Sequence, residues 1–366
     1  MATTTSLIAG SKFSARDFRE AKRAWSERLL LSPQAAPVAL GAARRAGAHA
    51  MAAAVRATPA RRNDNVVGVG IAEKWVKGKP TGVLAVKFFV KSKFPTGAVA
   101  RGLVLPKTID GLPVDVEETG TLRAFAKRSK RAKAADDTIP NPRMRMRPAH
   151  AGCSVGFRIP GDQFLMCGTF GAMVKTARKV FILSNNHVLA NENALPLNSP
   201  IFQPGLLDGG VAPGDRIAKL SKFIKIKKLP ANNKVDAAIA ALDKPSLASP
   251  LILPKVGKLG STAPVAALMD MKVHKHGRTT GYTRGRVIDV SGDFNISYDF
   301  GTARFVDQIV IVGDSGSFSN SGDSGSLIVE RSSNQATGLL FAGSTSHTIA
   351  NHISDVLSAL GVTLVI

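Results

Sequence analysis

Asn320-Ser-Gly-Asp-Ser324-Gly-Ser-Leu-Ile-Val329 is the stretch on which the reading of the fold turns. A serine flanked by glycines leads directly into an apolar run with strand character. Gly322 lets the loop bend so that the backbone N–H groups of Gly322 and Ser324 point at one spot, and Gly325 keeps bulk away from the hydroxyl. A serine hydroxyl is a poor nucleophile at neutral pH and needs a base beside it, so the stretch calls for partners elsewhere in the chain. Phe181-Ile-Leu-Ser-Asn-Asn-His187-Val-Leu-Ala190 places a histidine where an apolar strand breaks, and Lys234-Val-Asp236-Ala-Ala-Ile-Ala240 places an acid just before another. A histidine takes the proton and returns it to the leaving group, and a buried carboxylate fixes its tautomer. The expected catalytic residues are therefore His187, Asp236 and Ser324, with Gly322 and Ser324 as an oxyanion hole. Taken singly, His187 also reads as a strand-end histidine bonded to a carbonyl, Asp236 as a turn cap and Gly-Asp-Ser-Gly as an ordinary loop. It is the ordered set that carries weight.

Gly-Asp-Ser-Gly-Ser occurs twice, at 313–317 and 322–326. Ser324 is followed by Leu327-Ile-Val-Glu330, a strand able to anchor the loop, whereas Ser315 leads only into a polar segment. Ser324 is preferred for that reason. His274 and His276 fall on one face of a strand by alternation and read as wall or surface positions rather than ligands.

Working outward, short apolar segments recur at 153–158, 166–174, 179–184, 216–226 and 235–241. They resume at 265–276, 282–290, 307–312, 325–330 and 336–342. The stretch 244–262, with three prolines, divides them. Two sequential groups of short antiparallel strands imply two packed barrels or sandwiches, here 151–245 and 246–366. One helix is expected in this part, Ile353–Leu360, with Asn351 or Ser354 as cap and Gly361 as terminator. Upstream, 65–75 and 82–91 read as a hairpin around Gly78 to Gly82, and a further strand pair surrounds Asp110-Gly111. These form a small β-rich accessory unit over 64–125, followed by a basic linker over 126–150 that is open to proteolytic nicking. Residues 14–31 read as a basic amphipathic helix with a capping box at Ser14 and Asp17. Phe18, Ala21, Trp25 and Leu29 share its apolar face, expected to dock on the protein itself, and 32–63 read as a tether.

Composition agrees with many strands and turns: 44% apolar residues, 34 glycines, 20 prolines and 6% aromatics. The net charge is +23, and residues 1–150 hold 28 Lys and Arg against 11 Asp and Glu. The basic N-terminal region, 1–63 included, suits a polyanion or an acidic partner, or simply a solvated extension. Its Arg/Ala-rich character also resembles a transit segment, and Met51 is an alternative start of translation. Without a secretory apolar core or a run of about 18 apolar residues, no signal peptide or membrane span is expected, which favours the cytoplasm. Cys153 and Cys167 are too few for a disulfide scaffold; a bridge across a hairpin at Gly161 would need matching register, and two buried thiols are the simpler reading. Neither has a Cys/His partner set for zinc, and no metal or organic cofactor is called for.

The order His, Asp, Ser with Gly-Asp-Ser-Gly-Ser resembles the chymotrypsin/trypsin superfamily. His187 and Asp236 are 49 residues apart and Asp236 and Ser324 are 88 apart, which suits that fold. Leu183-Ser-Asn-Asn-His187-Val-Leu-Ala190, Val235-Asp236-Ala-Ala-Ile239, Gly277-Arg-Thr-Thr-Gly281 and Asn65-Val-Val-Gly-Val-Gly70 are similar to the branch of the plant narrow-leaf protein and its bacterial relatives. The resemblance covers about 64–366. It implies an all-β, chymotrypsin-like double antiparallel β-barrel with a C-terminal helix, preceded by the accessory region and the helical extension. It also implies a serine endopeptidase working on protein or peptide substrates through an acyl-enzyme; the alternative is a silent or tightly regulated peptidase fold recruited through its basic N-terminal region. The strand Gly338–Gly343 would pair with extended substrate. Trypsins carry Asp where this chain has Phe318, so a preference for Arg or Lys is not implied. Phe318, Phe341, Gly343 and Ser344 are the expected substrate-binding residues, with His347 a candidate contact for an acidic side chain. Trypsins also pair a newly cut N-terminus with the acid before the serine, here Asp323, but the usual Ile-Val-Gly-Gly start is missing. Cleavage in the basic linker is a further route to activation.

Overall fold

The computed structural model describes residues 12–31, 64–99, 103–124, 140–158 and 165–366. The expected tether over 32–63, Met51, the turn at Gly161 and most of the basic linker lie outside the described residues.

Helix α1 spans Ala15–Leu30 and begins with the capping box read from sequence: Asp17 N–H donates to Ser14 Oγ, and the Asp17 carboxylate accepts from Ser14 N–H. Phe18 and Leu30 are buried while Ala21, Trp25 and Leu29 are partly buried. The inward stripe also contains Lys22 and Ser26, both buried, so the docked face is rotated toward polar residues. Strands β1 (Val66–Val76) and β2 (Lys79–Val90) form an antiparallel hairpin. Its turn is shorter than expected. Lys77 (φ 49°) and Gly78 (φ 76°) make a two-residue loop with both residues left-handed, the geometry that matches strand twist, and Pro80 to Gly82 belong to β2. β3 (Thr108–Ile109) and β4 (Leu112–Glu118) form the small pair around Asp110-Gly111, β4 running parallel to β2. β5 is the two-residue strand Arg123–Ala124.

β6 (Ala149–Ala151) precedes the first barrel, which uses β7 (Ser154–Arg158), β8 (Leu165–Thr169), β9 (Ala172–Lys175) and β10 (Val180–Ser184). The one-turn helix α2 (Asn186–Leu189) follows, then β11 (Pro200–Phe202), β12 (Arg216–Phe223) and β14 (Ala238–Leu242) of the same sheet; β13 (Asn232–Asn233), between β12 and β14, pairs instead with Arg304 and Phe305 of the second sheet. β15 (Ala248–Ile252) pairs in parallel with β6, apart from both sheets. The second barrel comprises β16 (Lys272–Gly277), β17 (Gly281–Tyr298), β18 (Gly301–Gly313), β19 (Leu327–Glu330), β20 (Ala336–Gly343) and β21 (Thr348–His352). These six close on themselves, because β17 pairs with both β16 and β18. Helix α3 (Ile353–Leu360) ends at Gly361 in the left-handed region (φ 72°); its N-cap is His352, not Asn351 or Ser354. β22 (Thr363–Leu364) then returns the C-terminus to β9 of the first barrel.

The result is all-β, with two curled, largely antiparallel sheets of the chymotrypsin-like double-barrel type. The accessory hairpin is continuous with the second sheet: β1 bonds β17, pairing Gly68 with Phe294 and Val69 with Asp293. Those residues sit on an extension of the β17–β18 hairpin across 291–306, beyond the two strand segments read from sequence. Cys153 and Cys167 are both free and buried. The register explains it: Cys167 lies opposite Gly156, while Cys153 bonds through its backbone to Phe170. Burial pushes their thiols up to about 12 and about 11, so both behave as apolar side chains.

Candidate active site

Strand register brings the first two groups together. β10 and β14 are antiparallel, with Ser184 opposite Ala238, so the residues just past Ser184 and just before Ala238 emerge at the same end of the sheet. His187 leaves on α2 and Asp236 leads into β14; His187 Nδ1 lies 2.6 Å from Asp236 Oδ2 with both side chains fully buried. His187 N–H also donates to Asp236 Oδ1 at 3.3 Å, and Tyr298 Oη–H donates to Oδ2 at 2.8 Å. Asn185 Nδ2 holds the Asp236 carbonyl, and Asn351 Oδ1 accepts the Asp236 N–H. The carboxylate is thus fixed by neutral donors and the imidazole, and its one aromatic neighbour is held as a phenol: burial first, then the charge of Asp236, pushes Tyr298 far above its ordinary value. The other ring nitrogen, His187 Nε2, is buried without a hydrogen-bond partner.

Ser324 approaches from the second barrel. Its carbonyl accepts from Thr169 N–H at 2.8 Å, at the end of β8, and its Oγ is directed to the Phe341 carbonyl at 3.4 Å. Thr169 in turn accepts, through its carbonyl, from Ser184 Oγ, three residues before His187. Gly322 and Gly325 have φ of 93° and 92°. A methyl on Gly325 would sit 2.1 Å from Ser184 Oγ and 2.3 Å from the Thr169 carbonyl oxygen, so the Ser324 loop presses against the first barrel as only glycine permits. Among the described residues, the N–H groups of Gly322 and Ser324 donate to no backbone carbonyl. Ser315 lies in an exposed turn after β18, whereas Ser324 is buried.

The Gly277-Arg-Thr-Thr-Gly281 phrase braces this loop. Thr279 and Thr280 N–H donate to Asp323 Oδ1, Thr280 Oγ1 donates to Oδ2, and Asn320 N–H donates to Oδ2. Lys275 Nζ, fully buried, stands 3.7 Å from the same carboxylate. Burial lowers the Lys275 pKa, and Asp323 opposes that shift. Asp323 is therefore held from within the second barrel, by backbone and hydroxyl donors and by Lys275. Arg278, also buried, forks onto Asp208 of the first barrel, and its N–H donates to Thr169 Oγ1, which donates on to the Gly322 carbonyl. Tyr298, Thr169 and Lys275 were not singled out from sequence, and Asn351 was read only as a helix cap. The phenol and amide carry no local motif, and the lysine is recognisable only once strand alternation is known to point it inward.

The expected substrate-binding residues are arranged differently from one another. Phe318 is 1% exposed and packs in the second-barrel core with Val273, Val287 and Ile311, so its ring offers no free face in this conformation. Phe341 is buried against Phe305, with ring centroids 4.6 Å apart, and presents only its carbonyl to Ser324. Gly343 and Ser344 lie on and just after the end of β20. His347 Nε2 is bonded at 2.7 Å to Glu117 of β4. His274 bonds Tyr282 and Asn334, and His276 is buried beside Gly152. No helix among the described residues is long and apolar enough to cross a membrane.

Residues 252–352, from the end of β15 through β21, match the family model of the Nal1 C-terminal domain, in keeping with the resemblance to the narrow-leaf branch. No curated protein matches the chain in sequence. Among solved structures, the chain is similar to Protease A of Thermobifida fusca, at 17% identity and a TM-score of 0.42, over 59% of this chain and 97% of that one. It is similar to a Cellulomonas bogoriensis chymotrypsin at 17% identity and a TM-score of 0.40, over 59% and 97%. A Nocardiopsis protease matches at 15% identity and a TM-score of 0.41, over 59% and 97%.

Proposed function

We propose that this chain is a serine endopeptidase that cleaves peptide bonds through an acyl-enzyme. Ser324 Oγ attacks the scissile carbonyl carbon while His187 Nε2 takes its proton, and Asp236 holds Nδ1–H and the imidazolium that forms. The oxyanion is received by the N–H groups of Gly322 and Ser324, each such donor lowering the barrier by roughly 3 kcal/mol. The C–N bond breaks as the imidazolium passes its proton to the leaving amine, and water repeats the sequence to release the acid.

The observation that carries this reading is the buried His187 imidazole, anchored on Asp236 through one nitrogen and unpartnered at the other. A buried polar atom left without a partner costs free energy; the Ser324 hydroxyl, here directed to the Phe341 carbonyl, passes its proton only after turning to Nε2. A fluorophosphonate probe tests it directly. Wild type is expected to be labelled and Ser324→Ala and His187→Ala not, with all three folded by circular dichroism. A folded wild type that resists the probe would instead favour a silent peptidase fold.

A further inference from the structure

Strand β20 has two edges. One is bonded along its length to β21, with Ala342 opposite Ile349 and Gly343 opposite Thr348. The other is bonded to β19 only as far as Leu339, where β19 begins at Leu327. Beyond that point the edge runs beside the nucleophile loop: Gly325 N–H donates to the Leu340 carbonyl at 2.8 Å, and Ser324 Oγ faces the Phe341 carbonyl. The next two residues of the edge are not vacant. Ala342 pairs antiparallel with Ala124, and Gly343 with Arg123. An extended peptide reaching Ser324 by strand addition needs these same backbone groups.

The preceding residues cover the neighbouring wall. Leu122 is 1% exposed within the cluster of Phe294, Ile296, Tyr298 and Phe341, and its carbonyl accepts from Ser297 N–H at 3.2 Å. Gly120, at φ 75°, lies alongside Ser344, where a methyl would be in ordinary contact with Cβ at 3.8 Å. Glu117 places its carboxylate on His347 Nε2 and on Lys87 Nζ. Burial pushes the Glu117 carboxyl up, but His347 and Lys87 more than offset this and hold it at about 2, so a charged acid occupies that histidine. Phe341, Gly343, Ser344 and His347 are all met by one segment of the same chain.

We propose that residues 117–124 are an intramolecular occupant of the peptide-binding edge, a strand and an acidic side chain that substrate must displace before it reaches Ser324. This rests on the peptidase reading above. The occupant is displaceable because its strand is short, making only two residue pairs with β20 and one with β17. Apparent peptide affinity is then reduced by the fraction of molecules in which the edge is open.

The test uses full-length protein with an internally quenched peptide library and, in parallel, a small fluorophosphonate that does not need the strand edge. Leu122→Ser is expected to raise kcat/KM for peptides about tenfold, mainly through KM, with the labelling rate within about twofold of wild type. Glu117→Gln should move kcat/KM the same way by a smaller factor, and it decides the matter if Leu122→Ser fails to fold. Unchanged or lower kcat/KM in the folded variants, with labelling retained, overturns the proposal and leaves the peptidase reading standing. No labelling of any of the proteins removes that reading, and the proposal with it.

Discussion

Tyr298 is the neutral donor that distinguishes the surroundings of Asp236, reaching Oδ2 at 2.8 Å from the far end of β17. It touches no reacting atom, so its effect passes through the carboxylate as a positioning residue. A hydrogen bond to a charged group contributes about 1.5–3 kcal/mol, of which only the part that changes as the imidazolium forms affects the rate. Tyr298→Phe is expected to lower kcat about tenfold with KM unchanged, read from steady-state kinetics on a peptide. A parallel rise in KM would assign the phenol to substrate binding instead. Gly325 makes a harsher demand. Its methyl would meet a backbone carbonyl and the Ser184 hydroxyl while φ stays positive, so Gly325→Ala must shift the whole loop. Fluorophosphonate labelling of that variant should fall by about 100-fold or more, and labelling near the wild-type rate would show that the loop tolerates the shift.

At the scale of elements, α1 is held by a polar socket as well as by its apolar stripe. Lys22 pairs with Asp293 and Asp307, Ser26 donates to Asp293 at 2.6 Å, Arg304 joins the same carboxylate at 3.1 Å, and Asn295 caps the Leu30 carbonyl. Removing one partner of a buried pair typically costs about 3–5 kcal/mol, and Arg304 and Ser26 keep Asp293 partly satisfied, so the lower end applies. Lys22→Ala is expected to loosen α1 and red-shift the emission of Trp25, which now packs edge-on against Phe88; an unchanged spectrum in a Trp75→Phe background would mean the apolar stripe alone suffices. The socket also shows which parts were legible in sequence. The capping box, the C-terminal helix, the β1–β2 hairpin and the segments bearing His187, Asp236 and Ser324 all announce themselves through local rules. The extension of β17 and β18 across 291–306 does not: Asp293 and Asn295 break the apolar alternation because their partners are α1 and β1, more than two hundred residues upstream, and Ser291 and Gly292 sit at a bulge. Arg123–Ala124 is likewise unreadable, since a two-residue strand has no period and gains its meaning only from the edge it meets.

The whole molecule is joined at a place where a carboxylate is buried without a cation. Asp289, at a bulge in β17, accepts from Ile71 N–H of the accessory hairpin at 3.0 Å and from Ser291 N–H at 2.8 Å. Burial is the largest influence and pushes its carboxyl up to about 7, against the ordinary 3.8, with the backbone donors and the distant Lys22 and Lys87 opposing. The sign follows from linkage. The folded state binds this proton more tightly than the unfolded chain does, so the contribution is fully present below about pH 4 and is lost as pH rises toward 7. Glu117 and Glu330 act oppositely, since both are held near 2; their contribution is present above 4.5 and lost only as pH falls toward 2, so the two windows meet only near pH 4. Burial holds His276 down at about 4, so its contribution grows as pH rises to about 6.5 and opposes that of Asp289. The Asp289 part is therefore read as a difference: Asp289→Asn keeps the shape and removes this titration, so its unfolding free energy should fall less than that of wild type between pH 5 and pH 8, by an amount on the order of a few kcal/mol at most. If the variant shows the same slope as wild type, the hairpin is not coupled to the barrel through this carboxyl, and the pH dependence must arise elsewhere in the chain.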